Sequence, residues 1–472
     1  MDNSLPARSV RAATSLLVVP MALIERWLWP VIVFLMLCWF VPWGHNTWTS
    51  GVAQRQVLLA VAVGLGLAVE LLQLPPGKTL NRLALRRHLS PLLAVAFGVW
   101  TLIASGASDY PIESLTGTLR AGDFGALWYA GLSLAFVAVY MNVLRVPSVL
   151  DRIQVSVVFA GLFLSGLALA EVLAGRSLVI GSNLVPVATF MGPGHLAGAL
   201  VLSIGMACGI LKVRPRLALV TIGLVSVALG ATGNRTGAAA VLLVISLCLL
   251  IAGERRTRYL LTAGVTATAL ILGNFAATGL GNNVAQAGRS LSDATSISTR
   301  VLLAKAAVDG IRQRPVFGFG GGDAFSYDWY KHLSREDLNE FLVLDHGFGQ
   351  LIDIFDENAG PPVFVNRTPD GAVQYHNVYG QKIHNQYLDF AIMWGLVGLG
   401  LFLAMLLRVV PNALSLRPAA LAVVAVALFL TFWFSMYQLE GALWIVLAAA
   451  SVRPVEMDST TPAALPTNPL LP

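Results

Sequence analysis

His384 is the residue of this sequence best suited to acid–base chemistry. It stands in the pair His384-Asn385, where a polar segment (residues 278–385) gives way to an apolar stretch. An imidazole has an unperturbed pKa of about 6.5, which suits a general base at neutral pH. The alternative is a histidine at a membrane boundary that hydrogen-bonds a lipid head group or a loop carbonyl.

Two arginines are placed to bind an anion. Arg235 stands between Gly233 and Gly237, in a very short connection between two apolar stretches. An ionisable residue near membrane depth is costly and often functional, although an arginine there can also reach out to lipid phosphates. Arg300 follows Ser298, a residue type that caps helices. Because the helix dipole disfavours a cation at a helix start, Arg300 needs a partner such as a phosphate or a carboxylate.

No residue pattern indicates a metal or a cofactor, and we predict neither. The remaining histidines of the polar segment are scattered, and none forms a His/Cys pair with metal-ligand spacing. A Ser–His–Asp triad stays open, but the sequence has no G-x-S-x-G elbow. His195, in Gly192-Pro193-Gly194-His195, begins an apolar stretch, where it either contributes to a site or caps the helix.

These residues must be positioned by membrane-spanning helices. The chain is 56% hydrophobic and 12% charged, whereas soluble proteins carry about 25% charged residues. Helical spans of about 20 apolar residues are the structures that keep the backbone hydrogen-bonded in lipid. Twelve such stretches occur, at about 27–43, 56–74, 89–106, 124–144, 153–174, 193–211, 216–232, 236–253, 259–277, 386–407, 418–435 and 438–452.

We therefore predict an all-α polytopic membrane protein with about twelve transmembrane helices and one large periplasmic loop containing short helices. Its predicted parts are a membrane domain at 1–277 (spans 1–9), the polar segment at 278–385, and spans 10–12 at 386–452. A tail at 453–472 is expected to be cytoplasmic and disordered.

The distribution of basic residues predicts the orientation. They concentrate in alternate connections, at 78–87, 145–152, 212–216, 255–258 and 408–417, and at both termini, whereas the other short connections hold only Arg55, Arg120, Arg176 and Arg235. Basic connections stay in the cytoplasm. Both termini are therefore predicted to be cytoplasmic, and the polar segment to face the periplasm of a bacterial inner membrane. Because this dispersal accounts for the net charge of +6, we predict no nucleic-acid partner.

Within the polar segment, an amphipathic helix is predicted at about 298–312, ended by Pro315. The glycine run at 318–322 lacks the Lys-Ser/Thr of a P-loop, so we interpret it as a tight turn that holds the segment to the spans. Residues 325–345 are predicted to be helical, and 355–383 to be loop. We expect the whole segment to lie over the membrane domain as a cap rather than to form an independent domain.

Three motifs together resemble the O-antigen ligase and polymerase superfamily of bacterial inner-membrane glycosyltransferases. His384-Asn385, followed after nine residues by Gly395-x-x-Gly398, resembles the signature of O-antigen ligases. The stretch from Arg300 to Arg314-Pro315-x-Phe317-Gly318-x-Gly320 resembles the start of their large periplasmic loop, and 232–237 resembles their arginine turn. The resemblance covers about residues 190–408. The stretch 345–383 departs from it by its length and is a candidate determinant of the acceptor.

The resemblance implies transfer of a glycan from undecaprenyl pyrophosphate to an acceptor hydroxyl, on lipid A–core if the protein is a ligase. Arg235 and Arg300 would bind the pyrophosphate, and His384 would deprotonate or orient the hydroxyl. We expect further substrate contacts from a second set of residues: His195, Arg312, Arg314, Asn385 and Tyr387. The alternatives are a polymerase or a protein O-oligosaccharyltransferase of the same superfamily and, in a different class, a transporter of lipid-linked sugars.

Overall fold

The computed structural model describes residues 6–40, 48–72, 88–118, 123–179, 186–190, 192–279, 294–322, 324–355, 362–377, 382–433 and 437–453. The predicted tail beyond residue 453, the basic connection at 78–87, Arg120 and the first part of the polar segment lie outside the described residues.

Most of the described chain is helical. The helices of the apolar stretches are α1 (Pro6–Cys38), α2 (Trp48–Leu72), α3 (Leu89–Gly106), α5 (Ala126–Arg145), α6 (Ser148–Ala174), α7 (Pro193–Ile210), α8 (Pro215–Ala231), α9 (Arg235–Ile251), α10 (Arg256–Gly279), α13 (Gln386–Leu414), α14 (Pro418–Phe429) and α15 (Tyr437–Ser451). Between them lie the short helix α4 (Pro111–Thr116) and, in the polar segment, α11 (Ala294–Gln313) and α12 (Arg335–His346).

Each of the twelve predicted spans coincides with one of these helices, and the protein is a mostly helical, multi-pass membrane protein. Within the described residues, eight helices are long and apolar enough to cross a membrane. The helices α8, α9, α14 and α15 are shorter, and a helix of 17 residues rises only about 26 Å against a hydrocarbon core of about 30 Å. All the residues of α15 are buried, so this helix lies inside the bundle rather than against lipid. The count of twelve crossings stays a prediction.

The prediction that the protein is all-α is wrong for the polar segment. Residues 355–383, predicted as loop, contain most of a three-stranded antiparallel sheet of β3 (Gln350–Phe355), β4 (Val363–Arg367) and β5 (Val373–Asn377), in the order β3-β4-β5. A bulge interrupts β3, and three consecutive residues of β4 are buried. These features remove the alternation of apolar and polar residues by which a half-buried strand is identified. A second, two-residue pair joins β1 (Gly117–Thr118) to β2 (Asp123–Phe124).

The predicted helix at 298–312 is confirmed as α11, but it begins at Ala294, so Ser298 is not its cap and Arg300 does not lie in its first turn. Residues 325–345 divide into two 3-10 turns, Phe325–Tyr327 and Trp329–His332, followed by α12. These elements and the sheet enclose a hydrophobic cluster of their own. Its large members are Trp329, Phe341 and Phe364, all fully buried, and Ile392 of α13 joins it. The segment therefore has a core, and that core is continuous with one helix of the membrane domain.

The turn at 318–322 holds the polar segment to α13, as the sequence predicts. α13 is interrupted at Gly395, which has φ 66° and ψ 180°, and the backbone of 315–320 pairs with the interrupted turn. The N–H groups of Phe319 and Gly320 donate to the carbonyls of Ile392 and Met393 at 2.8 and 2.9 Å, and Leu396 N–H donates to Pro315 O at 2.7 Å. A span predicted as continuous is thus broken, and the backbone groups freed by the break are satisfied by the polar segment.

Candidate functional site

Three predicted side chains meet at the ring of a fourth residue, Trp433. The ring centroid lies 5.4 Å from that of His384 and 6.0 Å from that of His195. The guanidinium carbon of Arg300 lies over the same ring, 5.5 Å from its centroid. Trp433 Nε1–H donates to His195 Nδ1 at 3.4 Å. The structure therefore brings together three of the residues predicted to act on substrate.

Each side chain comes from a different part of the chain. His384 immediately precedes the cap of α13, Arg300 lies in α11, and His195 lies in the first turn of α7. Trp433 follows α14, in the turn that leads towards α15. Because these elements are far apart in sequence, only the packing of the helices forms the cluster.

His384 has a left-handed backbone with φ 58°, a conformation uncommon for residues other than glycine. Hydrogen bonds fix the chain on both sides of it. Ile383 N–H donates to Asp389 Oδ1 at 3.2 Å, and Gln386 N–H donates to the carbonyls of Leu430 and Trp433 at 3.0 and 3.2 Å. The backbone that carries His384 is thus tied both to α13 and to the turn that carries Trp433.

Gly194 makes room for the Trp433 ring. A Cβ built on Gly194 would lie 2.1 Å from Trp433 Cζ2, so a side chain here would displace the ring. The glycine beside His195 therefore allows the start of α7 to contact the ring closely.

Burial and the neighbouring Arg300 guanidinium lower the pKa of His384 to about 4. The histidine is therefore neutral at pH 7 and able to accept a proton, and it is a weaker base than the unperturbed value suggested. Burial also lowers the pKa of Arg300. The ion pairs of the described residues involve other side chains, so in this part of the chain Arg300 is held by a ring rather than by a carboxylate.

Arg235 lies at the same end of the bundle. It is the first residue of α9, is exposed, and follows Asn234, whose Oδ1 accepts from Gly237 N–H at 2.7 Å. A Cβ on Gly237 would lie 3.4 Å from the Cβ of Ala197, two residues after His195. The starts of α9 and α7 are therefore neighbours, which places Arg235 beside the cluster.

The other predicted substrate contacts have different surroundings. Arg314 pairs with Asp109 and lies over the ring of Phe319, 4.7 Å from its centroid. Arg312 is exposed in the last turn of α11. Arg314 therefore belongs to the junction between the polar segment and the 107–110 connection.

Asn385 and Tyr387 make structural hydrogen bonds. Asn385 caps α13, its Oδ1 accepting from the N–H groups of Tyr387 and Leu388 at 3.0 and 3.1 Å. Tyr387 OH donates to Ala427 O at 2.7 Å and so joins α13 to α14. Both residues support the position of His384, and their predicted contact with substrate stays a prediction.

Sequence reasoning missed Trp433. Its one signal was an aromatic residue near the end of the predicted span 418–435, on the side where charge alternation predicts His384 to lie. Aromatic residues are common at membrane interfaces, so this signal did not separate Trp433 from the other tryptophans.

Among the described residues there is no group of three His, Cys, Asp or Glu side chains that could hold a metal ion.

The fold and the cluster define a multi-pass membrane protein with histidine and arginine side chains gathered at one end of its helical bundle. Residues 218–403 match the family model of O-antigen ligase (Wzy_C), and this match supports a relationship to the O-antigen ligase-like superfamily. The matched region contains Arg235, Arg300 and His384, whereas His195 and Trp433 lie outside it. No curated protein and no solved structure gives a significant match.

Proposed function

We propose that this protein is a bacterial inner-membrane glycosyltransferase that ligates O-antigen, moving the glycan from undecaprenyl pyrophosphate to a hydroxyl group of lipid A–core. The observation that carries the proposal is the juxtaposition of a half-buried arginine and a neutral histidine on one indole ring, in a chain of the O-antigen ligase-like superfamily. In the proposed orientation both termini are cytoplasmic, and the cluster faces the periplasm.

Arg300 and Arg235 bind the pyrophosphate of the donor. A guanidinium forms paired, charge-assisted hydrogen bonds with phosphate oxygens. The half-buried Arg300 is the stronger candidate, since an anion there offsets a charge that burial makes costly. The exposed Arg235 adds a second cation at the same end of the bundle, beside the start of α7.

His384 acts on the acceptor. The acceptor oxygen attacks the anomeric carbon, the bond from that carbon to the phosphate oxygen breaks, and the hydroxyl proton passes to the neutral imidazole of His384. The leaving group is undecaprenyl pyrophosphate, whose developing negative charge is stabilised by the arginines. No metal or cofactor takes part in this proposed mechanism.

The proposal is tested with purified protein in phospholipid vesicles that contain the lipid-linked glycan and lipid A–core. We expect His384→Ala and Arg300→Ala each to lower the rate of transfer by about 10²–10⁴-fold, the range for removal of one proton-transfer or charge-stabilising group. The matched control is Arg152→Ala, because Arg152 also lies over a tryptophan, Trp27, at a guanidinium–centroid distance of 4.6 Å but on other helices.

Transfer is measured by a gel shift of labelled glycan, with and without a chelator. Wild-type activity of His384→Ala would remove the general base from the proposal, and strict dependence on a divalent metal would contradict an arginine-based mechanism. Replacing lipid A–core by a second lipid-linked glycan or by a serine-containing protein tests the polymerase and protein-glycosylating alternatives. Movement of the lipid-linked glycan across the vesicle without transfer would indicate the transporter.

A further inference from the structure

We propose that Trp433 is a positioning residue that holds Arg300 and His384 at the spacing that glycan transfer requires. This inference rests on the proposed function, and it assigns a role to a residue outside the matched family region. Trp433 itself does not exchange a proton or bind a phosphate in this proposal. It acts through the two side chains that do.

Three parts of the indole make three different contacts. The ring face carries the guanidinium of Arg300, with 5.5 Å between guanidinium carbon and centroid. His384 meets the ring at an interplanar angle of 65°, an edge arrangement that aromatic pairs favour. The Nε1–H group donates to His195. One rigid side chain therefore relates the proposed cation, the proposed base and the start of α7.

The ring is itself fixed from both sides. The backbone carbonyl of Trp433 accepts from the N–H of Gln386, two residues after His384, at 3.2 Å. On the other side Gly194 leaves a space that any Cβ would fill, and the ring of Phe429 lies 6.3 Å away between centroids. A displacement of Trp433 would therefore be transmitted to the histidine backbone as well as to Arg300.

An indole is better suited to this role than a carboxylate. A carboxylate beside Arg300 would hold the guanidinium but cancel its charge, which would weaken an interaction with pyrophosphate. The face of an indole attracts a cation through the ring quadrupole and carries no net charge. Arg300 is thus oriented and keeps its full positive charge for the leaving group.

The same arrangement determines how His384 titrates. From other elements it is faced by Arg300 of α11 and His195 of α7. Its own segment carries Lys382 and Asp389, and the carboxylate of Asp389 accepts from the backbone N–H of Ile383. Burial against Trp433 and the charge of Arg300 both favour neutral histidine. Removing the ring admits water and releases Arg300, and so raises the pKa of His384 towards its ordinary value.

The test compares Trp433→Phe, Trp433→Ala and Gly194→Ala with wild type in the vesicle assay, across a range of pH. For Trp433→Ala we expect kcat to fall about 10²-fold, the effect of misplacing a catalytic group by about 1 Å, with a smaller change in KM for the donor. The acid limb of kcat/KM should move to higher pH. Trp433→Phe keeps a ring face for Arg300 and should lose less of kcat than Trp433→Ala. Gly194→Ala displaces the ring without removing it, and should also move the acid limb of kcat/KM to higher pH.

Trp27→Ala is the matched control, because it removes another tryptophan ring that carries an arginine, on other helices, and should leave both kcat and the pH profile unchanged. Wild-type kcat and an unshifted acid limb in Trp433→Ala, with His384→Ala inactive, would overturn the positioning role and leave the proposed function standing. Full activity of His384→Ala would instead overturn the proposed function. If Trp433→Ala does not fold, the positioning role is tested with Trp433→Phe and Gly194→Ala. An unshifted acid limb of kcat/KM in both variants would overturn the inference.

Discussion

The backbone of His384 is held in a conformation that costs free energy. A residue other than glycine with φ 58° is destabilised by about 1–3 kcal/mol relative to an ordinary conformation. The neighbouring backbone hydrogen bonds from Ile383 and Gln386 offset this cost and leave the imidazole beside Trp433 rather than along α13. Strain of this kind is concentrated at functional sites, which agrees with the proposed role of His384.

The lowered pKa of His384 predicts a specific pH dependence. A general base must be neutral, so the rate falls as the pH drops through its pKa, and a depressed pKa extends activity to lower pH. Since kcat/KM reports groups of the free enzyme, we expect its acid limb near the pKa of about 4. A bound pyrophosphate offsets the charge of Arg300, so the acid limb of kcat should lie at higher pH.

Both limbs are measured from initial rates of transfer between pH 3.5 and 8, a range chosen to bracket the pKa of about 4 and the unperturbed value of about 6.5. Arg300→Gln serves as the control, because it removes the charge and should bring the two limbs together. An acid limb of kcat/KM near 6.5 would show that His384 is solvated in the working protein and contradict the prediction.

For single residues, the sequence identified site candidates where the residue type and the predicted position both pointed to function. His384, Arg235 and Arg300 could be selected because ionisable side chains at membrane boundaries need partners. Asn385 has the residue type of a helix cap and caps α13, so its type was explained by the backbone rather than by substrate. Trp433 could not be selected, since its role depends on a contact with His195 across 238 positions of the chain.

The break in α13 is the feature that joins the polar segment to the membrane domain. A helix interrupted inside a bundle leaves N–H and C=O groups that must find other partners. The backbone of 315–320 supplies them, and Trp100 Nε1–H donates to Trp394 O at 2.8 Å beside the break. The break lies in α13, and His384 lies immediately before the cap of the same helix. The site and the junction therefore share one element.

Gly395→Ala tests this junction. A Cβ at this position would lie 1.8 Å from Val316 O, and φ is +66°, so the substitution forces 315–320 away from α13. The positive φ alone costs about 1–3 kcal/mol. We expect a lower unfolding temperature in detergent, and a loss of transfer activity because Arg300 and His384 are no longer held together.

Gly400→Ala is the control within the same helix, since nothing lies within 4 Å of its added Cβ and alanine stabilises a regular helix relative to glycine by about 1 kcal/mol. Equal unfolding temperatures and equal activities for the two variants would show that the break does not support the site.

Helices were more predictable than strands. The apolar periodicity of residues 298–312 predicted α11, and Pro315 marked its end, because a helical period persists over many residues. The strands β3, β4 and β5 have five or six residues each, and the burial of Asn366 in the middle of β4 removes the polar signal of an outer face. The sequence predicted a turn at 318–322 from its glycines. It did not predict the helix break at Gly395 to which this turn binds, because α13 has an uninterrupted apolar sequence there.

The whole molecule has the surface of a protein in lipid. Large apolar side chains are exposed along the long helices, among them Leu173, Leu250, Phe275 and Leu407 at 68–77%, where a soluble protein would place polar residues. One strong ionic network ties α1, α2 and α5, where Arg145 donates to Glu25 at 2.6 Å and to Glu70 at 2.8 Å. Composition therefore predicted the class of fold, whereas the arrangement of helices around Trp433 depends on packing that no apolar stretch specifies by itself.

The proposed orientation is tested by labelling single cysteines, because the native Cys38, Cys208 and Cys248 are all buried. Tyr375→Cys places a thiol on β5 at a side chain that is 66% exposed, and Glu254→Cys places one in the exposed turn before α10. In the predicted topology a single crossing by α10 separates the two positions, and basic Arg255 and Arg256 beside Glu254 predict that this turn is cytoplasmic. A membrane-impermeant maleimide applied to spheroplasts should therefore label Tyr375→Cys at once and Glu254→Cys only after permeabilisation, whereas a permeant maleimide should label both.

Labelling of Glu254→Cys alone would invert the orientation, and equal labelling of both in intact spheroplasts would mean that α10 does not cross. The first of these results would move the cluster at Trp433 away from the periplasmic side, where the proposed acceptor is found.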